Sequence, residues 1–298
     1  MVTFVGSYEG LAAWLLRRAR ADCGAPIVGP CGLRSQDWEA AIVDLYGVAD
    51  DEMCALARSL PVATLGEASR CKSSGILIDY HLDRIGQPSN ERELVGPAFT
   101  PLEPAFAGAG RAGDEVQTVL ITVGGSQQAL SHIPQLKAMV HDAFPEAELL
   151  VPRGMASSRE PVALLDLVGR VDLSVSAAGL TTYELACAGI PQAAVAIVDN
   201  QSRVIQGLRE AGIVPGVDLS AGDSLDGLAR ILGELRDAGW RRSLSKRGQA
   251  TFDGRGAARA AAGLVSRWPR CEQDARTTGS TAPALASTLP AGEAPGPR

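Results

Sequence analysis

Aromatic residues are scarce: Phe, Trp and Tyr make up 4% of the 298 residues, while apolar residues as a whole reach 46%. The interior therefore has to be built mainly from Ala, Val, Leu and Ile. Basic charge is not in excess either. With 28 Lys and Arg against 34 Asp and Glu the net charge is −6, and the arginines are scattered. Nucleic acid is bound by clustered Lys and Arg, so it is not the expected partner. The six cysteines, Cys23, Cys31, Cys54, Cys71, Cys187 and Cys271, contain no C-x-x-C pair and no histidine at ligand spacing. That pattern indicates neither a zinc site nor a disulfide framework, and reduced thiols are the simpler expectation. No apolar run approaches the roughly 20 residues that span a bilayer. The first residues also lack the basic region, apolar core and cleavage site of a signal peptide. A soluble, cytoplasmic protein with no transmembrane segment is expected.

The length fits two domains of ordinary size. Strands are expected at Val2–Val5, Ala41–Asp44, Val62–Leu65 and Gly75–Asp79, with helices at Tyr8–Ala21 and Asp50–Ser59. AGAGRAGD, residues 107–114, is a small-residue break that reads as an interdomain linker. A second unit of alternating strands and helices follows, beginning with a strand at Val116–Val123 and continuing with a helix at Ser131–Phe144, a strand at Leu149–Pro152 and a helix at Glu160–Val168. Strands alternating with helices imply parallel sheets. The expected division is 1–106, 107–115 as linker, 116–268, and a tail 269–298 of Thr, Ser, Ala, Gly and Pro that reads as disordered.

The richest segment is Asp172–Gln201. Asp172–Ser176 reads as a buried strand, Ala177, Ala178 and Gly179 as a tight turn, and a helix is expected from about Thr181. A helix start exposes unpaired N–H groups at the positive end of its dipole, and the hydroxyls of Thr181 and Thr182 add donors. Such a site suits a phosphate or pyrophosphate. Glu184, one turn later, can accept two hydrogen bonds and would suit a ribose diol. Gly189 and Pro191 read as the end of the helix. The strand Gln192–Ile197 then ends in Asp199, Asn200 and Gln201, on the side of an open α/β sheet where ligands bind.

Read as a pattern, a-G-x-T-x-(W/Y)-E-x-x-x-x-G-x-P followed by N-Q, this segment resembles a known family. Ala178, Gly179, Thr181, Thr182, Tyr183, Glu184, Gly189, Pro191, Asn200 and Gln201 carry the resemblance. The family comprises the UDP-2,4-diacetamido-2,4,6-trideoxy-β-L-altropyranose hydrolases of pseudaminic acid biosynthesis and related spore-coat polysaccharide proteins, UDP-sugar enzymes of GT-B architecture. The resemblance implies two doubly wound Rossmann-type domains facing across a cleft, the N-terminal one incomplete. It implies a UDP-sugar as substrate, no cofactor and no metal. VLITVGGSQQ resembles the family's G-G-s-D turn, which would place Gly124, Gly125 and Ser126 near the sugar or pyrophosphate. IVDLYGV resembles its v-D-x-Y-g segment, which would place Tyr46 in the active site, although a core tyrosine at a strand end fits equally well. Asn200 and Gln201 would face the sugar. FDGRGAARAA, residues 252–261, is expected to begin a helix that packs back onto the N-terminal domain.

The chain departs from the family at its catalytic base, a histidine on a G-x-G-H-x-x-R loop after the first strand. No such loop is present. Among His81, His132 and His141, His81 in IDYHLDR is the nearest substitute, but a loop histidine at a sheet edge is more often a surface hydrogen-bonding residue. Two expectations follow: a native start upstream of Met1, favoured because MVTFVGSYEG follows the family from its second strand, or a diverged protein that binds without hydrolysis. The resemblance thus implies a UDP-sugar hydrolase of surface-glycan or nonulosonic acid biosynthesis. A glycosyltransferase using the same donor, or a non-catalytic nucleotide-sugar-binding protein, stands as the alternative.

Overall fold

Short apolar strands joined by helices give two separate parallel sheets in the computed structural model, which describes residues 3–5, 22–24, 39–44, 50–66, 75–86, 88–110, 113–123, 127–152 and 163–268. In the N-terminal half, β3 (Ala41–Val43), β4 (Val62–Leu65), β5 (Ile76–Asp79) and β6 (Glu93–Val95) lie side by side in chain order. Helix α1 (Asp50–Ser59) connects β3 to β4. Strands β1 (Thr3–Val5) and β2 (Asp22–Gly24) form a parallel pair of their own. The expected helix at 8–21 and the tail 269–298 lie outside the described residues.

The second sheet contains β7 (Thr118–Thr122), β8 (Glu148–Leu150), β9 (Leu173–Ala177), β10 (Gln192–Ala196) and β11 (Gly216–Asp218). Its spatial order is β8-β7-β9-β10-β11, with every pair parallel. The helices are α2 (Gln127–Ser131), α3 (Ile133–Ala143), α4 (Leu180–Ala188), α5 (Ser202–Glu210), α6 (Leu225–Glu234), α7 (Ala238–Thr251) and α8 (Gly256–Arg267). Strand residues alternate between two apolar layers, as a sheet covered on both faces requires. Val119, Ile121, Val175 and Val195 meet Leu136, Val140, Leu228 and Leu232. Leu120, Ala194 and Ala196 meet Leu185, Ile205 and Leu208. Each such Leu, Ile or Val contributes roughly 1.5–3 kcal/mol by leaving water.

Small residues let the layers approach. Helix α4 is buried from Thr182 to Ala188 except at Glu184, while Leu180 at its start is exposed. Gly248 of α7 lies against it so closely that a Cβ there would sit 2.8 Å from the Ala186 carbonyl oxygen. The helix ends where Gly189 turns to φ +84, with the amides of Gly189 and Ile190 donating to Ala186 and Leu185. This is the left-handed stop expected of that glycine. The segment expected as a linker is fastened here too. The amides of Gly108 and Gly110 donate to Cys187 and Ala188, and buried Arg241 donates to the carbonyls of Gly113 and Asp114.

Helix α8 packs back onto the N-terminal sheet, as its sequence led us to expect. Ala260 and Leu264 meet Ala63, Ile76, Ile78 and Leu94. Gly256 permits this, since a Cβ there would lie 2.0 Å from the Thr100 carbonyl oxygen.

Several expectations shift. The helix expected at 131–144 stands as α3 at Ile133–Ala143, with Pro134 in its first turn, and the short α2 before it was not foreseen. Where a helix was expected to 168, the described part forms 3-10 turns at Leu164–Asp166 and Val168–Arg170. Strand β11 begins only at Gly216, because the amides of Ile213 and Val214 cap α5 by donating to Leu208. Strands β2 and β6 were not foreseen: DCG and ELV are too short to display a period. Cys54 is disulfide-bonded, against the expectation of reduced thiols, while Cys187 is free and buried. Chain folding, not sequence spacing, brings disulfide partners together.

Candidate nucleotide crevice

Strands β7 and β9 are neighbours in the second sheet, yet the chain leaves β7 towards β8 on one side and continues from β9 towards β10 on the other. Strand order reverses between them, and in an open parallel sheet the ligand crevice opens outside the carboxyl ends of the strands at such a point. Two loops flank it. One follows Val123 and holds Gly124, Gly125 and Ser126, which lie outside the described residues, as does Tyr46. The other is Ala178–Gly179, leading into α4.

The start of α4 has ordinary backbone geometry. Gly179, the residue capping the helix, is extended at φ −142 and ψ −162, so the backbone does not require glycine there. A Cβ added to Gly179 would meet open space, so the missing side chain leaves room on the outer side of the turn. The amides of Ala178 and Gly179 donate to Val195 and Ala177. Those of Leu180 and Thr181, next in line, are the ones a helix start leaves without an intrahelical acceptor. The helix start is thus a positive end at which the Ala178 and Gly179 amides are tied to the sheet and the Leu180 and Thr181 amides have no intrahelical acceptor.

The two threonines part company. Thr182, expected among the ligand donors, is fully buried. Its hydroxyl donates to the Ala177 carbonyl at 2.9 Å and lies 3.1 Å from Ser176 Oγ. Gln192 completes this network by accepting from Ser176 at 3.0 Å and donating to the Thr182 carbonyl at 2.9 Å. Position 182 faces the sheet, so its hydroxyl ties the loop down instead of facing a ligand. Thr181 is partly exposed, and its hydroxyl bonds the Glu184 carboxylate. Burial raises the pKa of Glu184 and the Thr181 hydrogen bond opposes it.

Asn200 is exposed in the 3-10 turn Asp199–Gln201 that follows β10. Gln201 accepts from the Ile197 amide at 2.8 Å, and Gln128 of α2 donates to the Ile197 carbonyl at 3.3 Å. These two amide side chains fix the carboxyl end of β10.

Opposite this turn lies a cluster that sequence reasoning missed. Asp79, the last residue of β5, is buried and accepts from His81 Nδ1 at 2.7 Å and from the His81 amide at 3.2 Å. Its second oxygen accepts from Arg203 of α5 at 2.9 Å. Arg203 also donates to both oxygens of Asp83 at 2.9 Å, spanning the two halves. Leu82 packs on Gly207, where a Cβ would approach it to 2.9 Å, and Tyr80 meets Tyr183 edge-on at 6.2 Å. Burial pushes the Asp79 pKa up, but the bonds from His81 and Arg203 outweigh it and hold it at about 2, against an ordinary 3.8. His81, expected at the surface, is only 7% exposed. The signal was D-x-H at the end of a predicted strand. Among the described residues no group of His, Cys, Asp and Glu is placed to hold a metal ion.

This pair of sheets has counterparts among solved structures. MurG of Acinetobacter baumannii overlays with a TM-score of 0.59 at 14% identity, covering 89% of this chain and 91% of MurG. The calicheamicin glycosyltransferase CalG4 gives 0.54 at 14% identity, covering 90% and 91%. The fold is GT-B-like.

The spinosyn rhamnosyltransferase SpnG, solved with the spinosyn aglycone, gives 0.50 at 14% identity, covering 88% of this chain and all of that one. At such identity the likeness is one of fold. No protein-family model matches the chain, and no curated protein matches it in sequence. In this GT-B-like frame both halves present the carboxyl ends of parallel strands to the seam where Arg203 meets Asp79. No helix among the described residues is long and apolar enough to cross a membrane.

Proposed function

We propose that the chain is a nucleotide-sugar enzyme that takes a UDP-sugar donor and passes its sugar to an acceptor hydroxyl. The observation that carries this reading is the start of α4 at the strand-order reversal. Its outward amides suit a diphosphate, and Glu184, bonded to Thr181 one turn along, suits a ribose diol. Gly179 leaves room for the diphosphate, Thr182 holds the loop, and Asn200 with Gln201 stands on the sugar side. Gly124, Gly125 and Ser126 would close the crevice from the β7 loop, and Tyr46 would face the reacting carbon. Stabilisation of the leaving diphosphate at the helix start would supply much of the rate.

Transfer is preferred over hydrolysis because the solved structures sharing the fold over most of their length include glycosyltransferases. Hydrolysis of a diamino-sugar nucleotide in nonulosonic acid synthesis is the second reading, favoured by the residue pattern from Ala178 to Gln201. The choice of uracil also rests on that pattern. The test is calorimetry with UDP, TDP and GDP, followed by UDP release from a panel of UDP-sugars with and without acceptor alcohols. Transfer predicts UDP release that depends on the acceptor, and hydrolysis predicts release without one. Binding without release would mark a non-catalytic binder, and failure to bind any nucleotide would sink the reading.

A further inference from the structure

The proposed reaction needs a group that takes a proton from the attacking hydroxyl, and none of the residues assigned to the crevice under the proposed function is a histidine. The chain has three histidines. His132 caps α3 and His141 lies in its last turn, on the layer that packs against the second sheet. His81 alone follows the carboxyl end of a strand, and Arg203, two residues beyond Gln201, reaches it, with Nη1 3.4 Å from the ring.

Its surroundings set it up for proton transfer. Asp79 Oδ1 lies 2.7 Å from Nδ1 and also accepts the His81 amide, so the ring is held from two points. The ring stacks on Tyr80 with centroids 5.2 Å apart and planes 9° from parallel. Asp79 cannot turn away, because Arg203 holds its other oxygen at 2.9 Å while being held itself by Asp83. Arg203 Nη1 also lies 3.4 Å from Nδ1, but the Asp79 carboxylate at 2.7 Å is the nearer partner, so it keeps the proton on Nδ1 and leaves Nε2 as the basic nitrogen. Among the described residues Nε2 has no hydrogen-bond partner. The facing charges are Asp79, Asp83 and Glu93 against Arg203 and Arg84, with Arg84 bonded to Glu93 at 2.6 Å. One negative charge remains to stabilise an imidazolium.

We propose that His81 is the proton acceptor of the reaction and Asp79 its positioning residue, an inference that rests on the nucleotide-sugar reading above. The oxygen of the attacking hydroxyl, from acceptor or water, forms a bond to the anomeric carbon as its proton passes to Nε2. The bond from that carbon to the diphosphate oxygen breaks, and its electron pair leaves with UDP. The imidazolium then returns the proton to water or to the diphosphate.

The test uses the full chain with nitrogen-15 histidine, in which only three side chains need to be resolved. In its neutral form the His81 ring is expected to carry its proton on Nδ1. UDP-N-acetylglucosamine is expected to shift its Nε2 resonance while His132 and His141 stay in place. D79N is expected to redistribute the proton between the ring nitrogens and to shift the pH profile of donor turnover, and the second change is one that a merely structural aspartate would not produce. In donor turnover H81Q should lose at least about 100-fold in rate, the usual range for a general base, while its Kd for UDP stays within about twofold. UDP-N-acetylglucosamine that binds without moving His81, or H81Q at the wild-type rate, would overturn the assignment. A chain that binds neither UDP nor UDP-N-acetylglucosamine would overturn the nucleotide-sugar reading instead.

Discussion

Replacing Glu184 with Gln should move stability and nucleotide affinity in opposite directions. The Glu184 carboxylate is partly buried, and burial raises its pKa while only the Thr181 hydroxyl compensates. The folded chain therefore binds a proton at this site more tightly than the unfolded chain does. Its stabilising effect is complete below the ordinary glutamate pKa and is lost as pH rises through the raised value. At pH 7 the wild type carries the cost of the buried charge, about 1.4 kcal/mol for each pH unit by which the pKa is raised. E184Q keeps the shape and an acceptor oxygen but has no charge, so the ligand-free variant should be more stable at pH 7. The gain should fade towards pH 4. A ribose diol bonded to the carboxylate makes hydrogen bonds to a charged group worth about 1.5–3 kcal/mol each. Losing the charge from one of them should weaken UDP binding roughly 10- to 150-fold. Urea unfolding of the ligand-free protein at pH 4 and 7, with calorimetric titration of UDP at pH 7, measures both. Unchanged UDP affinity would refute the ribose assignment. A ligand-free variant less stable than wild type at pH 7 would show that the carboxylate is a structural partner.

Three further substitutions separate binding from folding. Gly179→Ala places a methyl in open space at an ordinary φ, so denaturant unfolding should change by no more than about 1 kcal/mol, whereas UDP affinity should fall; equal affinity would show that no ligand approaches that turn. Thr182→Val removes the hydroxyl that donates to Ala177 from a fully buried site and should cost about 1–3 kcal/mol, while Thr181→Val removes the bond to the partly buried Glu184 carboxylate, should cost less, about 1 kcal/mol at pH 7, and should reduce UDP affinity. For Asp79, the lowering of the pKa from 3.8 to about 2 corresponds to about 2 kcal/mol present above pH 3.8 and lost as pH falls to about 2. The stability gap between wild type and D79N should therefore close over that range, and a gap that persists at pH 2 would contradict the ion-pair account.

Most elements of both sheets were legible because their signals are local. Val62–Leu65 and Asp50–Ser59 stand where the apolar pattern and helix signals put them. The α4 turn was legible for the same reason: strand, small residues, helix and left-handed glycine occur in thirty consecutive residues. The orientation of individual side chains was not. Thr181 and Thr182 are alike in sequence, and only the rotation of α4 against the sheet decides that one faces outward and the other bonds Ala177. The Asp79–His81 pair was legible as D-x-H at a strand end, but its bond to Arg203 was not, because Arg203 is more than a hundred residues away in sequence and meets the pair only in the folded chain. The break between α2 and α3 and the late start of β11 reflect capping bonds that sequence periodicity does not encode.

The claim that the carboxyl-edge crevice holds a nucleotide is tested most directly by titrating UDP into the full chain and its E184A variant by calorimetry. The account predicts one saturable site with a Kd in the range of about 1 μM to 1 mM usual for enzyme substrates, weakened at least about tenfold in E184A, as expected on losing a hydrogen bond to a charged group. No binding of UDP by the folded wild type at several times the upper limit, or equal affinity in the two proteins, would contradict it.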